Sequence, residues 1–207
     1  MSKTIKDKII MGIDPGTNIM GFGIIKVVNN TMEILELNEL NISKEKDHYL
    51  KLSIIFKRTS ELIQEYAPDE IAIEAPFFGK NVQSMLKLGR AQGVAMAAGL
   101  NLKIPITEYS PKKIKLSITG NGNASKEQVA KMLQNMLKIK TLPKKLDSTD
   151  GLAAAVCHYF NYNKKTNEKK YSGWQSYINK NPDKVDLLFT KMFIEVLDSL
   201  NTHIKIF

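Results

Sequence analysis

The sequence predicts an α/β fold, a mixed five-stranded sheet flanked by helices. Three strand-like segments come first and follow one another as a meander, which gives antiparallel pairing. From residue 49 onward, short β-rich runs alternate with longer runs of helical spacing, which adds parallel strands and helical cover. The chain has 207 residues, 43% of them hydrophobic, enough for one domain with a real core and an appendage.

The first strand covers residues 9–14, an apolar run that ends in Asp14 before the turn signal Pro15-Gly16-Thr17. Phe22–Val28 and Met32–Leu40 are the next two, with Asn29-Asn30 as the hairpin turn between them. Tyr49–Tyr66 carries Leu52, Ile55, Phe56, Leu62 and Ile63 near helical spacing, and Ala67-Pro68-Asp69 stops it. Glu70–Glu74 (EIAIE) is a short strand that again ends in a carboxylate. Asn81–Leu100 is a long helix whose glycines and alanines from Gly89 to Ala98 permit close packing. Ile104–Glu108 is the fifth strand, and the short basic helix KKIKLSI follows Ser110-Pro111. After a polar loop at Gly120–Asn123, Ser125 and Gln128 make a capping box that opens a helix to about Lys138. Leu146–Tyr159 is a further helix. Residues 161–172 read as a polar linker, and residues 185–200 as an amphipathic helix with Leu188, Met192, Val196 and Leu200 nearly in line. The expected division is a domain over residues 1–160 and a linker with a helical extension over residues 161–207.

Several classes are excluded. No apolar run is long enough for a transmembrane helix, and MSKTIKDK lacks the apolar region of a signal peptide, so a cytosolic protein is expected. One cysteine, Cys157, supports neither a disulfide framework nor a cysteine-rich zinc site. The formal charge is +9, and its placement says more than its total. Residues 79–145 hold 13 Lys and Arg against 2 Asp and Glu, whereas residues 1–78 hold 9 against 12. A basic block this concentrated favours a polyanion, most simply nucleic acid, although a lysine-rich solvated surface has the same composition.

Four carboxylates occupy comparable places: Asp14 and Glu74 end strands, and Asp147 and Asp150 share the first turn of a helix on one face. Each also fits an ordinary role, Asp14 in a turn, Glu74 at a solvated strand end, and Asp147 with Asp150 as a helix cap. If the two strands are neighbours and the helix lies over their ends, all four converge. Like charges then raise one another's pKa, and a hard divalent cation bound through oxygen, Mg²⁺ or Mn²⁺, relieves the repulsion. Two such ions support in-line phosphodiester hydrolysis. The three histidines, His48, His158 and His203, show no ligand spacing.

Four blocks, "MGIDPGTNIMGFGII", "IAIEAPFFGKNVQSMLKLGRAQGVAMAA", "EYSPKKIKLSITGNGNASKEQVAKML" and "LDSTDGLAAAVCHY", resemble the RuvC family of Holliday junction resolvases in order and spacing. The likeness runs from about residue 9 to residue 160. It implies an RNase H-like fold and a homodimer that nicks two opposed strands of a four-way DNA junction with Mg²⁺, two ions per subunit, with Mn²⁺ able to substitute. It implies that Asp14, Glu74, Asp147 and Asp150 are catalytic metal ligands and that Phe77 stacks on bases near the junction centre. It further places Lys115 and Lys126 near the scissile phosphate. Lys80, Arg90, Lys112 and Lys113 are then phosphate contacts that position DNA without reading its sequence. Partnership with the branch-migration proteins RuvA and RuvB, in a bacterial cytoplasm, is also what the resemblance implies. The Asn81 helix offers Val82, Met85, Gly89 and Met96 either to a second subunit or to the core of its own. Gly151 departs from the alanine expected at that place, and glycine is a poor helix former.

Three other readings compete. The GIDPGT stretch also resembles the first phosphate loop of actin-like ATPases and sugar kinases, but further glycine-rich loops are missing. A non-catalytic junction-binding protein needs the basic block but not four acids. A nuclease of the same fold acting on RNA differs in contacts to the 2′-hydroxyl, which a sequence does not display.

Overall fold

The computed structural model describes residues 7–76, 81–141, 143 and 146–167, with side chains as far as Tyr162. Phe77 and Lys80 of the expected DNA contacts, and the amphipathic stretch 185–200, lie outside the described residues.

Five strands, β1 (Lys8–Asp14), β2 (Ile19–Val28), β3 (Thr31–Asn41), β4 (Glu70–Glu74) and β5 (Ile106–Tyr109), form one sheet in the order β3-β2-β1-β4-β5. β1–β2 and β2–β3 pair antiparallel, while β1–β4 and β4–β5 pair parallel, so the sheet is mixed as the sequence predicts. Asn29 and Asn30 turn the first hairpin with φ of 50° and 65°, the left-handed pair that a two-residue hairpin requires. Helices α1 (His48–Tyr66) and α2 (Val82–Asn101) are followed by α3 (Pro111–Thr119), α4 (Lys126–Leu137) and α5 (Asp147–Asn167).

Strand alternation sorts the core. Met11, Ile13, Phe22, Ile24, Ile71 and Ile73 pack with Ile55 and Leu62 of α1 and the Ala91, Ala95 and Ala98 face of α2. Ile10, Ile25 and Ala72 belong to the opposite cluster, with Ile114 of α3, Leu133 of α4 and Leu152 and Val156 of α5. Period-two alternation therefore assigns Asp14, Glu70 and Glu74 to the face that carries α5.

Three boundaries move for identifiable reasons. β2 begins at Ile19 rather than Phe22, because its ladder to β3 continues to the pair Ile19–Asn41. β5 begins at Ile106, because the Ile104 amide donates to the Gly99 carbonyl oxygen and so belongs to the end of α2, and Pro105 has no N–H to give a ladder. α5 runs to Asn167, past the end expected at Tyr159, so the first part of the stretch read as a linker is helical. The Ser125–Gln128 capping box is present, with the Ser125 amide donating to Gln128 Oε1 at 2.8 Å.

A polar network ties α5 to the sheet on this face. Glu70 receives Lys8 and His158, Tyr109 Oη lies 3.0 Å from His158 Nδ1, and the Lys8 ammonium sits 3.5 Å from the Tyr162 ring centroid. Burial pushes the Glu70 carboxyl up, but its bonds to Lys8 and His158 outweigh this and hold it below its ordinary 4.5. A depressed carboxyl contributes stability that is complete above its unfolded pKa and is lost as pH falls through the folded one. Glu70→Gln is therefore expected to lower the melting temperature at pH 7 and to flatten the acid limb below about pH 4.5. Melts at several pH values check this; equal slopes in the two proteins would refute it.

Candidate functional site

β1 and β4 are parallel neighbours with Ile13 opposite Ile73, so the next residues of each, Asp14 and Glu74, stand at adjacent strand ends. α5 reaches them because the sheet beneath it is bare. Gly12 faces Gly23 and Asp14 faces Gly21 across the β1–β2 ladder. A Cβ at Gly12 would lie 2.1 Å from the Gly151 carbonyl oxygen, and one at Gly21 only 2.0 Å from that of Asp147. From the helix side, a Cβ at Gly151 would come within 2.7 Å of the Gly21 backbone. The glycine that looks like a weak point in a helix is the contact that lets the Asp147–Asp150 turn approach Asp14. Gly21→Ala must push the start of α5 away; overpacking of this kind removes about 1–3 kcal/mol. The expected result is a melting temperature lower by several degrees and loss of the site's activity, read by calorimetry and a nuclease assay.

Asp147 is the first helical residue rather than the cap. The Asp150 amide donates to the Leu146 carbonyl oxygen at 3.2 Å, so the carboxylates are left for other work. Both lie at the positive end of the helix, which favours them. Lys126 meets both, with Nζ 2.6 Å from Asp150 Oδ2 and 3.7 Å from Asp147 Oδ1. Ser125 and the capping box place Lys126 in the first turn of α4, where a cation is locally unfavourable. The acids outweigh that preference.

The electrostatics record an excess of negative charge. Burial, then Glu74 and Asp150, push Asp14 up to about 8. Burial and Asp150 push Glu74 up to about 7, against Lys126 and Lys115. Burial and Asp147 also hold Asp150 above its ordinary value despite Lys126. Burial pulls the Lys126 ammonium down, but its bond to Asp150 and the charges of Asp150, Asp14 and Asp147 prevail and raise it.

All of these groups except Asp147 line one cavity of about 570 Å³. Asp14, Glu74 and Asp150 stand in it with Lys112, Lys115 and Lys126, and Ile114, Val129 and Ala153 give an apolar wall. Lys113 is exposed on α3 and is not among the lining residues. The polar loop at Gly120–Asn123 supplies Gly122 and Asn123 to the rim. A bare Gly122 is needed there, since a Cβ would meet Lys112 Cγ at 2.7 Å.

The donor set fits a hard divalent cation: partly buried carboxylates beside one another, two held partly protonated near neutral pH by burial first and by neighbouring carboxylates second. As placed, no three of the described acidic or imidazole side chains are grouped closely enough to hold one ion, and the Lys126 ammonium balances Asp147 and Asp150 instead.

A mixed sheet in the order β3-β2-β1-β4-β5, with acids at its central parallel strand ends and at the start of the helix above them, is an RNase H-like fold. The family model for crossover junction endodeoxyribonuclease RuvC matches residues 10–158. A protein named crossover junction endodeoxyribonuclease RuvC from Christiangramia forsetii is 68% identical over 179 residues, covering 86% of this chain and 93% of its own. Its namesake from Bacteroides fragilis is 57% identical over 187 residues, covering 89% and 100%. The solved structure of T. thermophilus RuvC in complex with Holliday junction substrate superposes with a TM-score of 0.71 at 28% identity, over 77% of this chain and 97% of that one. The chain belongs to the RuvC family.

Sequence reasoning missed two features. The glycine trough under α5 was visible as GxxxxxxxxGxG from Gly12 to Gly23, but only pairing shows which glycines share a face. Gln92, which reaches Glu74, left no local signal.

Proposed function

We propose that this chain is a structure-selective endonuclease that resolves four-way DNA junctions by paired, metal-dependent phosphodiester hydrolysis. The observation that carries the reading is the meeting of Asp14, Glu74 and Asp150 with Lys115 and Lys126 in one cavity, in a chain of this family. Asp14, Glu74, Asp147 and Asp150 hold Mg²⁺, two ions per subunit, and Mn²⁺ substitutes. Bound there, the ions supply a water of lowered pKa and neutralise charge at the phosphate.

The chain's own residues do the rest. Lys115 and Lys126 hold the phosphate by charge, and the apolar wall of Ile114, Val129 and Ala153 lowers the local dielectric and strengthens those contacts. Lys112 extends the basic rim, and Lys80, Lys113 and Phe77 engage the DNA arms and an unstacked base. Two opposed cuts require a two-fold pair of sites. The outer face of α2 suits that pairing, because Val82 is 64% and Leu86 52% exposed and nothing lies within 4 Å of a Cβ at Gly89 or Gly93. Met96 of the expected face packs instead against the core. RuvA and RuvB are the partners and the cytoplasm the compartment; among the described residues no helix is long and apolar enough to cross a membrane.

The test uses a synthetic four-way junction, a linear duplex and an RNA–DNA hybrid, each with Mg²⁺ or EDTA. Paired nicks in the junction alone, only with Mg²⁺, are expected, and junction binding should fall steeply with salt as counterions are released. Tight binding without cleavage in any divalent metal would reduce the protein to a binding module. Cleavage of the hybrid instead would keep the metal site and move the substrate to RNA.

A further inference from the structure

Gln92 is a buried amide, 6% exposed, and the other buried residues of its helix are Ala91, Ala95, Ala98 and Gly99. A buried amide among alanines is unfavourable unless its donors are used. They are: Nε2 donates to the backbone carbonyl oxygen of Glu74 at 3.3 Å and to Glu108 Oε2 at 2.9 Å. The carboxylate of Glu108 fixes which end of the amide faces Glu74, since only the NH₂ end satisfies an acceptor.

The Glu74 carbonyl needs this partner. The β1–β4 ladder ends at the pair Ile13–Ile73, one residue earlier, so no strand neighbour remains on that side. On the other side the Ala75 amide donates to the Tyr109 carbonyl oxygen at 2.8 Å. The peptide that joins Glu74 to Ala75 is thus clamped at its N–H by β5 and at its C=O by α2. Its orientation sets the backbone at Glu74, and the side chain leaves from that backbone.

We propose that Gln92 is a positioning residue for Glu74, holding the last peptide of β4 so that the carboxylate stays aimed into the metal cavity. The proposal rests on the reading of Glu74 as a metal ligand. Gln92 is not among the residues that line the cavity and acts through the Glu74 peptide.

The test compares wild type with Gln92→Leu, Gln92→Arg and Glu74→Gln. It measures Mg²⁺ binding by calorimetry, junction affinity in EDTA, metal-free melting temperature and single-turnover cleavage. Leucine removes the donors at similar bulk, whereas arginine offers N–H groups to both oxygens. Gln92→Leu is expected to lose about 10–100-fold in Mg²⁺ affinity or cleavage rate, the usual effect of losing a group that orients a ligand. Its junction affinity in EDTA should match wild type, and Gln92→Arg should recover most of the loss. Gln92→Leu with wild-type metal affinity and rate, beside an inactive Glu74→Gln, would overturn this proposal alone. Parallel loss of melting temperature and rate with no recovery by arginine would also overturn it, leaving Gln92 a purely structural residue. A Glu74→Gln protein that cuts normally would instead overturn the metal-ligand reading on which the proposal rests.

Discussion

Replacing Asp14 by asparagine is expected to abolish junction cleavage and, in the same protein, to raise the melting temperature in EDTA. The two effects have one origin. Asp14 is crowded by burial, Glu74 and Asp150, and its pKa stands at about 8 rather than 3.8. A carboxyl whose folded pKa is raised destabilises the fold progressively as pH rises from the unfolded value to the folded one. At pH 7.5 the metal-free wild type carries nearly all of that strain, of the order of a few kcal/mol, and a neutral amide carries none. About 1 kcal/mol moves the melting temperature of a domain this size by roughly 2–4 °C, so a rise of about 5 °C or more is expected. The advantage should shrink as pH falls and vanish only below the unfolded value of 3.8, where Asp14 is protonated in both states. Cleavage should fall by about a thousandfold or more, the scale set by removing a group that organises transition-state charge. Adding Mg²⁺ should stabilise wild type, because a ligand bound only by the folded state does so, and should barely move the variant. Thermal melts with and without EDTA check the sign. An unchanged or lower metal-free melting temperature would mean that Asp14 is not under electrostatic strain.

Lys126→Met is expected to move metal-free stability in the opposite direction. Lys126 joins Asp150 and Asp147 and is coupled to Asp14 and Glu74 as well. Its removal leaves the acids with Lys115 as the remaining cation acting on Glu74 and Asp150. Because its side chain is 55% exposed, solvent screens the pair, and the loss is about 1 kcal/mol rather than the much larger value of a buried pair. The metal-free melting temperature at pH 7.5 should therefore fall by about 2–4 °C, and by less at lower pH once Asp14 and Glu74 are protonated. Cleavage should fall by about a hundredfold, as expected for one fixed cation beside a reacting phosphate. Asp14→Asn combined with Lys126→Met should be non-additive, since each variant changes the charge that the other feels. Strict additivity would place the Lys126 ammonium outside the acid cluster.

Opposite stability effects at neighbouring positions mark a site that favours function over folding. Lys126 occupies a helix start that disfavours a cation, and Asp14 and Glu74 are acids held where the fold alone would rather have neutral groups. Local rules are broken at these positions and kept around them: Ser125 caps α4, Ser110 caps α3 and Asn81 caps α2, each as its residue type predicts.

The sequence by itself determined the elements and their order, because alternation, helical spacing, caps and turn residues act within a few positions. Asn29-Asn30, the Ser125–Gln128 box and the strand ends at Asp14 and Glu74 are all of this kind. It also singled out the four acids, since each sits at the end of a recognisable element. Whether Asp147 served as a cap or as part of an acid cluster was open until Leu146 proved to occupy the cap position. Only the tertiary structure decided how closely α5 lies on the sheet, because that depends on Gly12, Gly21 and Gly23 falling on one face beneath Gly151. It alone brought Lys126 between Asp147 and Asp150, separated Lys113 from Lys112 and Lys115 at the cavity, and carried Gln92 to the Glu74 carbonyl. These are contacts between residues far apart in the chain, set by strand register and backbone separation. Neither quantity leaves a mark on the residues' immediate neighbours in sequence.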